Sequence, residues 1–118
     1  MGTPTQKSLT YLRNLGFKCD GAQWLVKQTG KPGFRKNLFN IMDIVALHPV
    51  QGTTFGIQVT DIANVSTRVR EILECVWTPI LLKCNWQIEV HGWKKGQLSS
   101  GGPSIVRFHL KDGRVVLL

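Results

Sequence analysis

Asp43-Ile44-Val45-Ala46-Leu47-His48, a short turn-prone stretch through Gly52, and then Thr54-Phe55-Gly56-Ile57-Gln58-Val59-Thr60 form the passage that decides the fold. Both runs are rich in β-branched residues and read as strands, Ile41 to Leu47 and Thr53 to Thr60. One carboxylate heads the first, and a polar pair two residues apart sits near the end of the second. Side chains two apart on a strand share a face, so a hairpin of the two strands brings Asp43, Gln58 and Thr60 to one edge of a sheet. Gln58 interrupts a run that otherwise reads as buried, and a buried amide needs partners. Taken singly, Asp43 reads equally well as a turn contact and Gln58 as an amide satisfied by backbone. Together they favour a site.

The rest of the chain fits around this pair. Thr3-Pro4-Thr5-Gln6 has the pattern of a capped helix start, with Leu9, Leu12 and Leu15 as an apolar stripe and Gly16 as a stop. Phe17 to Gln28 reads as one irregular strand broken at Asp20-Gly21, and Thr29 to Gly33 as a turn cluster. Val65, Val69, Ile72, Leu73 and Val76 fall on one helical face, ended or bent by Pro79. Trp86 to Lys95 alternates as a half-buried strand, with Gln87, Glu89 and His91 outward. Ile105 to Leu110 and Val115 to Leu118 flank Asp112-Gly113, a strong hairpin signal. The expected order is helix, three strands, helix, strand and hairpin: one α/β domain over residues 1–118, with a mixed sheet flanked by helices.

Charge points to a class of partner. Of 118 residues, 15 are Lys or Arg and 7 are Asp or Glu, giving a net charge of +8. A small domain this basic is suited to a polyanion, of which nucleic acid is the commonest. Lys31, Arg35 and Lys36 precede Asp43, Arg68 and Arg70 follow Gln58, and Lys94-Lys95 end a strand beside Trp93, a residue suited either to stacking on a base or to the core. The alternative for the charges is a solvated face. Three cysteines without a C-x-x-C pair fit neither a disulfide framework nor a zinc knuckle, and reduced thiols in a cytoplasmic protein are expected. No window approaches the roughly 18 apolar residues of a membrane span, so no membrane partner is expected. His48, His91 and His109 have no metal-ligand spacing and read as surface or strand-edge residues. No serine stands out with a histidine and an acid as a hydrolase triad.

The order α-β-β-β-α-β, with Asp at the head of the second strand, resembles the PD-(D/E)XK nuclease superfamily, whose small members include the Holliday junction resolvases. More narrowly, Arg35 to Asp43, Ile57-Gln58-Val59-Thr60, Asn64 to Arg68 and Val90 to Lys95 are similar to a group of phage and mobile-element proteins. Those proteins read basic-x-Asp-Leu-Phe-Gly-x-x-Asp, Val-Gln-x-Thr, Asn and Arg on a helix, and a Gly-Trp-basic strand end. The resemblance implies a restriction-endonuclease-like core with a C-terminal hairpin and a metal-dependent endonuclease acting on branched or duplex DNA in the bacterial cytoplasm, as a homodimer. It maps the metal ligands onto Asp43, Gln58 and the Val59 carbonyl, and the catalytic lysine onto Thr60.

Two of those positions depart from the superfamily. Gln58 offers an oxygen without charge, so Mg²⁺ or Mn²⁺ would be held weakly. Thr60 supplies no cation to the phosphate, leaving Lys36, Lys27 or Arg68 to do so. Gln23 and Asn37 also stand where the phage group carries acids. The same residues therefore imply either an endonuclease with a degenerate motif or a relative that has kept the fold and the basic face without the chemistry, as a nucleic-acid-binding module or a docking subunit.

Overall fold

The computed structural model describes residues 2–118, the side chain of Gln28 apart. The first helix, α1 (Pro4–Asn14), begins as its sequence dictates. The Thr3 hydroxyl accepts from the Gln6 amide at 3.3 Å while the Gln6 side chain accepts from the Thr3 N–H at 3.0 Å. Among the described residues ten further elements follow. They are β1 (Lys18–Gly21), β2 (Gln23–Gln28), β3 (Lys31–Asn37), β4 (Ile44–His48), β5 (Thr53–Asp61), α2 (Val65–Glu74), α3 (Trp77–Lys83), β6 (Trp86–Trp93), β7 (Ser104–Lys111) and β8 (Arg114–Leu117), with single 3₁₀ turns at Ile62–Asn64 and Ser99–Gly101.

The central sheet is mixed, with strand order β1-β4-β5-β6-β7-β8. Its one parallel pairing joins β5 to β6, and the chain crosses between them through α2 and α3. All other neighbours are antiparallel. Helix α1 covers one face, over Leu12, Ile44, Ala46, Phe55, Ile57, Val59 and Trp93. The other face is covered by α2 and α3, over Ile41, Met42, Ile72, Leu81, Ile88, Val90 and Phe108. The expected mixed α/β sheet, flanking helices and C-terminal hairpin are all present. Among the described residues no helix is long and apolar enough to cross a membrane.

Several expectations need correction. Phe17 to Gln28 is not one strand. Lys18–Gly21 joins the central sheet, whereas Gln23–Gln28 turns away and pairs only with Lys31–Asn37, as a separate two-stranded arm. The second helix stops at Glu74, because Cys75 is extended with ψ of 131°. Pro79 then lies in the first turn of a third helix, where its missing N–H leaves nothing unpaired. Leu73 is consequently 41% exposed and Val76 lies on the surface, while Val65, Val69 and Ile72 pack on the sheet. Strand β6 is buried from Ile88 to Trp93: of its outward-reading residues Gln87 is exposed as expected, whereas Glu89 and His91 are buried, His91 against Ser8 of α1.

Close approach of α2 to the sheet depends on Gly92. A Cβ there would overlap the Val65 Cγ2 and lie 3.1 Å from the Ile62 Cδ1. Gly92→Ala is therefore expected to push the start of α2 off the sheet and cost about 1–3 kcal/mol in urea unfolding, as overpacked cores do. An unchanged midpoint would show that the helix gives way freely.

Candidate functional site

Asp43 is built into the junction between the sheet and the arm. Its N–H donates to the Ile57 carbonyl and its own carbonyl accepts from the Ala22 N–H, both at 2.8 Å. The carboxylate is buried. Oδ1 accepts from Gln23 Nε2 at 2.6 Å, and Oδ2 accepts from the Val59 N–H at 2.7 Å and Gln58 Nε2 at 3.1 Å. The Gln23 amide also donates to Asn37 Oδ1 at 2.7 Å, which ties the two roots of the arm together. Thr60, two residues beyond Gln58 and on the same face, is buried as well. Of the sequence-predicted trio, Asp43, just before β4, and Gln58 on β5 meet in a hydrogen bond, and Thr60 follows on the same face of β5. Gln23 and Asn37 complete the cluster.

Electrostatically the cluster is poor. Burial pushes the Asp43 carboxyl above the usual aspartate range, against the Val59 N–H bond, the nearby Arg68 charge and the neighbouring amides of Asn37 and Gln23. Mg²⁺ takes an octahedron of oxygen ligands, commonly one or two carboxylates with waters completing the set. Here one carboxylate faces amide N–H groups, each occupying a lone pair that a cation would need. As arranged, these side chains do not fit a Mg²⁺ site. Among the described residues no group of three His, Cys, Asp or Glu is placed to hold a metal.

The predicted cations distribute unevenly. Lys31, Arg35 and Lys36 all lie exposed on β3. Alternation sets Arg35 on the same face as Asn37 and puts Lys36 on the opposite one, so Lys36 is turned away from Asp43. Lys27 is exposed on β2. Arg68 on α2 is the cation whose charge reaches Asp43. It is half-buried, pairs with Glu71 at 3.1 Å, and keeps an Nε that is buried without a partner. Arg70 is exposed on α2. Lys94 and Lys95 line a separate cavity of about 530 Å³ with Lys7 and Asp61, at the carboxyl ends of the two parallel strands. Trp93 is a core residue, 1% exposed, and its ring is closed to a base.

A second polar cluster was not legible in the sequence. Trp93 Nε1 donates to the Ser8 hydroxyl at 2.7 Å, Ser8 Oγ lies 3.0 Å from His91 Nδ1, His91 Nε2 lies 3.1 Å from Glu89 Oε1, and Arg107 Nε donates to Glu89 Oε2 at 2.7 Å. Every group is satisfied if Ser8 donates to a neutral His91 that in turn donates to Glu89. Burial opposes ionisation of Glu89, but the hydrogen bonds from His91 and Arg107 and the Arg107 charge outweigh it and hold the carboxyl below its usual range. The order serine, histidine, acid is that of a hydrolase triad. Ser8 and His91 are 0% exposed, however, so no substrate reaches them. The chain of bonds is a brace between α1 and β6, and His91 is not the surface histidine expected. His48 does sit toward an edge, against the Phe17 ring and accepting from the Gln51 N–H.

No protein-family model, curated protein or solved structure matches the chain.

Proposed function

We propose that this protein is a PD-(D/E)XK-like nucleic-acid-binding domain that has kept the nuclease architecture and basic surface and lost the hydrolytic chemistry. Supporting the fold reading, α1, β1, β4, β5, the α2–α3 crossover and β6 follow the order α-β-β-β-α-β, with the arm as an insertion and β7–β8 as an addition. The observation that carries the functional reading is the company of Asp43: three amides, Gln23, Asn37 and Gln58, stand around one carboxylate, and two of them donate to it. Amides keep the packing and hydrogen bonds of a metal cluster while removing its charge. The chain's net charge of +8 supports a phosphate backbone as partner.

Fluorescence anisotropy with labelled duplex, branched and single-stranded DNA tests this. Binding is expected in EDTA, with affinity falling steeply as salt rises because phosphate contacts release counterions. Asp43→Ala is expected to leave affinity within about twofold, since phosphate contacts come from Lys and Arg. Mn²⁺-dependent cleavage that Asp43→Ala abolishes would overturn the proposal in favour of a live endonuclease. Absence of salt-sensitive binding to any nucleic acid would leave a docking subunit.

A further inference from the structure

The arm formed by β2 and β3 has an unusual surface. Residues 23–37 hold Lys27, Lys31, Arg35 and Lys36 and no acid, and none of the four cations is in an ion pair among the described residues. Pairing of Trp24 with Lys36 and of Val26 with Phe34 sets these four side chains on one face. Trp24 is 46% exposed and Phe34 48%, although a small domain has every reason to bury its largest rings. Two partly open aromatic rings on a two-stranded ribbon, with a cation beside them, make a platform of the kind on which bases stack. The arm is also fixed in direction, because its two roots are Gln23 and Asn37, bonded to each other and, through Gln23, to Asp43.

We infer that this face of the arm holds unpaired nucleotides, stacking their bases on Trp24 and Phe34 while Lys36 and the neighbouring cations follow the phosphates. The inference rests on the nucleic-acid reading above and gives it a substrate class. In a duplex the base faces are already covered by their neighbours, so flat rings gain little, whereas an unpaired base can cover a ring completely. A second copy of this chain is the other apolar partner available, but it would bring a second arm with four cations and no acid close to the first.

Binding of a labelled oligothymidine of about 12 nucleotides, beside a duplex of equal length, tests the inference. Trp24→Ala/Phe34→Ala is expected to weaken oligothymidine binding about 10- to 100-fold, to change duplex binding less than about twofold, and to leave the salt dependence unaltered, since every cation remains. Trp24→Leu/Phe34→Leu keeps the apolar bulk of the arm and is expected to show the same selective loss. Trp24→Phe is expected to keep most of the affinity while losing the tryptophan quenching that accompanies binding. If both double variants bind oligothymidine like the wild type, the arm is not the platform, although general nucleic-acid binding stands. If the wild type binds no nucleic acid, both readings fail. If the double variants instead convert a sedimenting dimer to a monomer without changing oligothymidine binding, the face belongs to a second copy and the inference is overturned.

Discussion

His91→Ala is expected to destabilise the fold by about 3–5 kcal/mol, a large part of what a domain of this size has. Three losses combine. The imidazole is fully buried, so its removal leaves a cavity. The Ser8 hydroxyl loses its acceptor while still receiving the Trp93 N–H. Glu89 keeps its charge inside the protein with Arg107 as its remaining partner. The pH dependence carries the same signature. Glu89 titrates lower in the folded chain than in the unfolded one, so its contribution is fully present above the usual glutamate value of 4.5 and is lost as pH falls through the lowered folded value. Glu89→Gln should flatten that acid limb of the stability profile. Urea unfolding of both variants across the acid range measures these effects. A His91→Ala protein within about 1 kcal/mol of wild type would mean the brace contributes little beyond filling space.

Gln58→Glu has the next largest expected effect, and its sign depends on conditions. The substitution sets a second carboxylate where an amide now lies 3.1 Å from Asp43. Two carboxyls this close cannot both ionise cheaply, so one must keep a proton. Asp43 is already raised by burial, which means its ionisation works against the fold as pH rises above the ordinary aspartate range. The variant should therefore lose about 2–4 kcal/mol near pH 8 and much less near pH 5, a slope opposite to that of Glu89. Mn²⁺ should restore much of the loss, since an ion that binds only the folded form at about 100 times its Kd adds about 2.7 kcal/mol. The wild type should show no comparable shift in its thermal melt. A variant as stable as wild type at both pH values, and indifferent to Mn²⁺, would show that residue 58 and Asp43 do not share a site.

The parts of this architecture that rest on local rules are legible in the sequence. Thr3 and Gln6 cap α1 as a reciprocal pair, Asp112 and Gly113 take the positive φ values of 53° and 76° that a tight hairpin needs, and the period of two puts Asp43 and Gln58 side by side. What escaped had a physical reason in each case. The residues of β3 up to Lys36 are all exposed, so hydropathy gave no sign of a strand there. Pro79 reads as a stop, yet a first helical turn accepts it as readily. The inward face of β6 at Glu89 and His91 is polar, and hydropathy cannot distinguish a side chain wet by solvent from one dried by hydrogen bonds. Its partner Ser8 lies 83 residues from His91, beyond any spacing rule. Gln23 and Asn37 lie 20 and 6 residues before Asp43 with no periodicity to link them, and the return of the arm onto Asp43 is what makes them neighbours.

The solitary parallel pairing in the sheet has a consequence for biosynthesis. When the ribosome has made β5, its antiparallel neighbour β4 already exists, but the opposite edge of β5 stays bare until β6 emerges. Phe55 to Thr60, six consecutive residues that end up buried, wait on that edge while residues 62–85 are translated, an interval of roughly 1–5 s at ordinary elongation rates. An unpaired, uncharged strand is the hazard that chaperones intercept. The nascent chain's most vulnerable moment therefore falls between the making of Gln58 and the arrival of its parallel neighbour Val90.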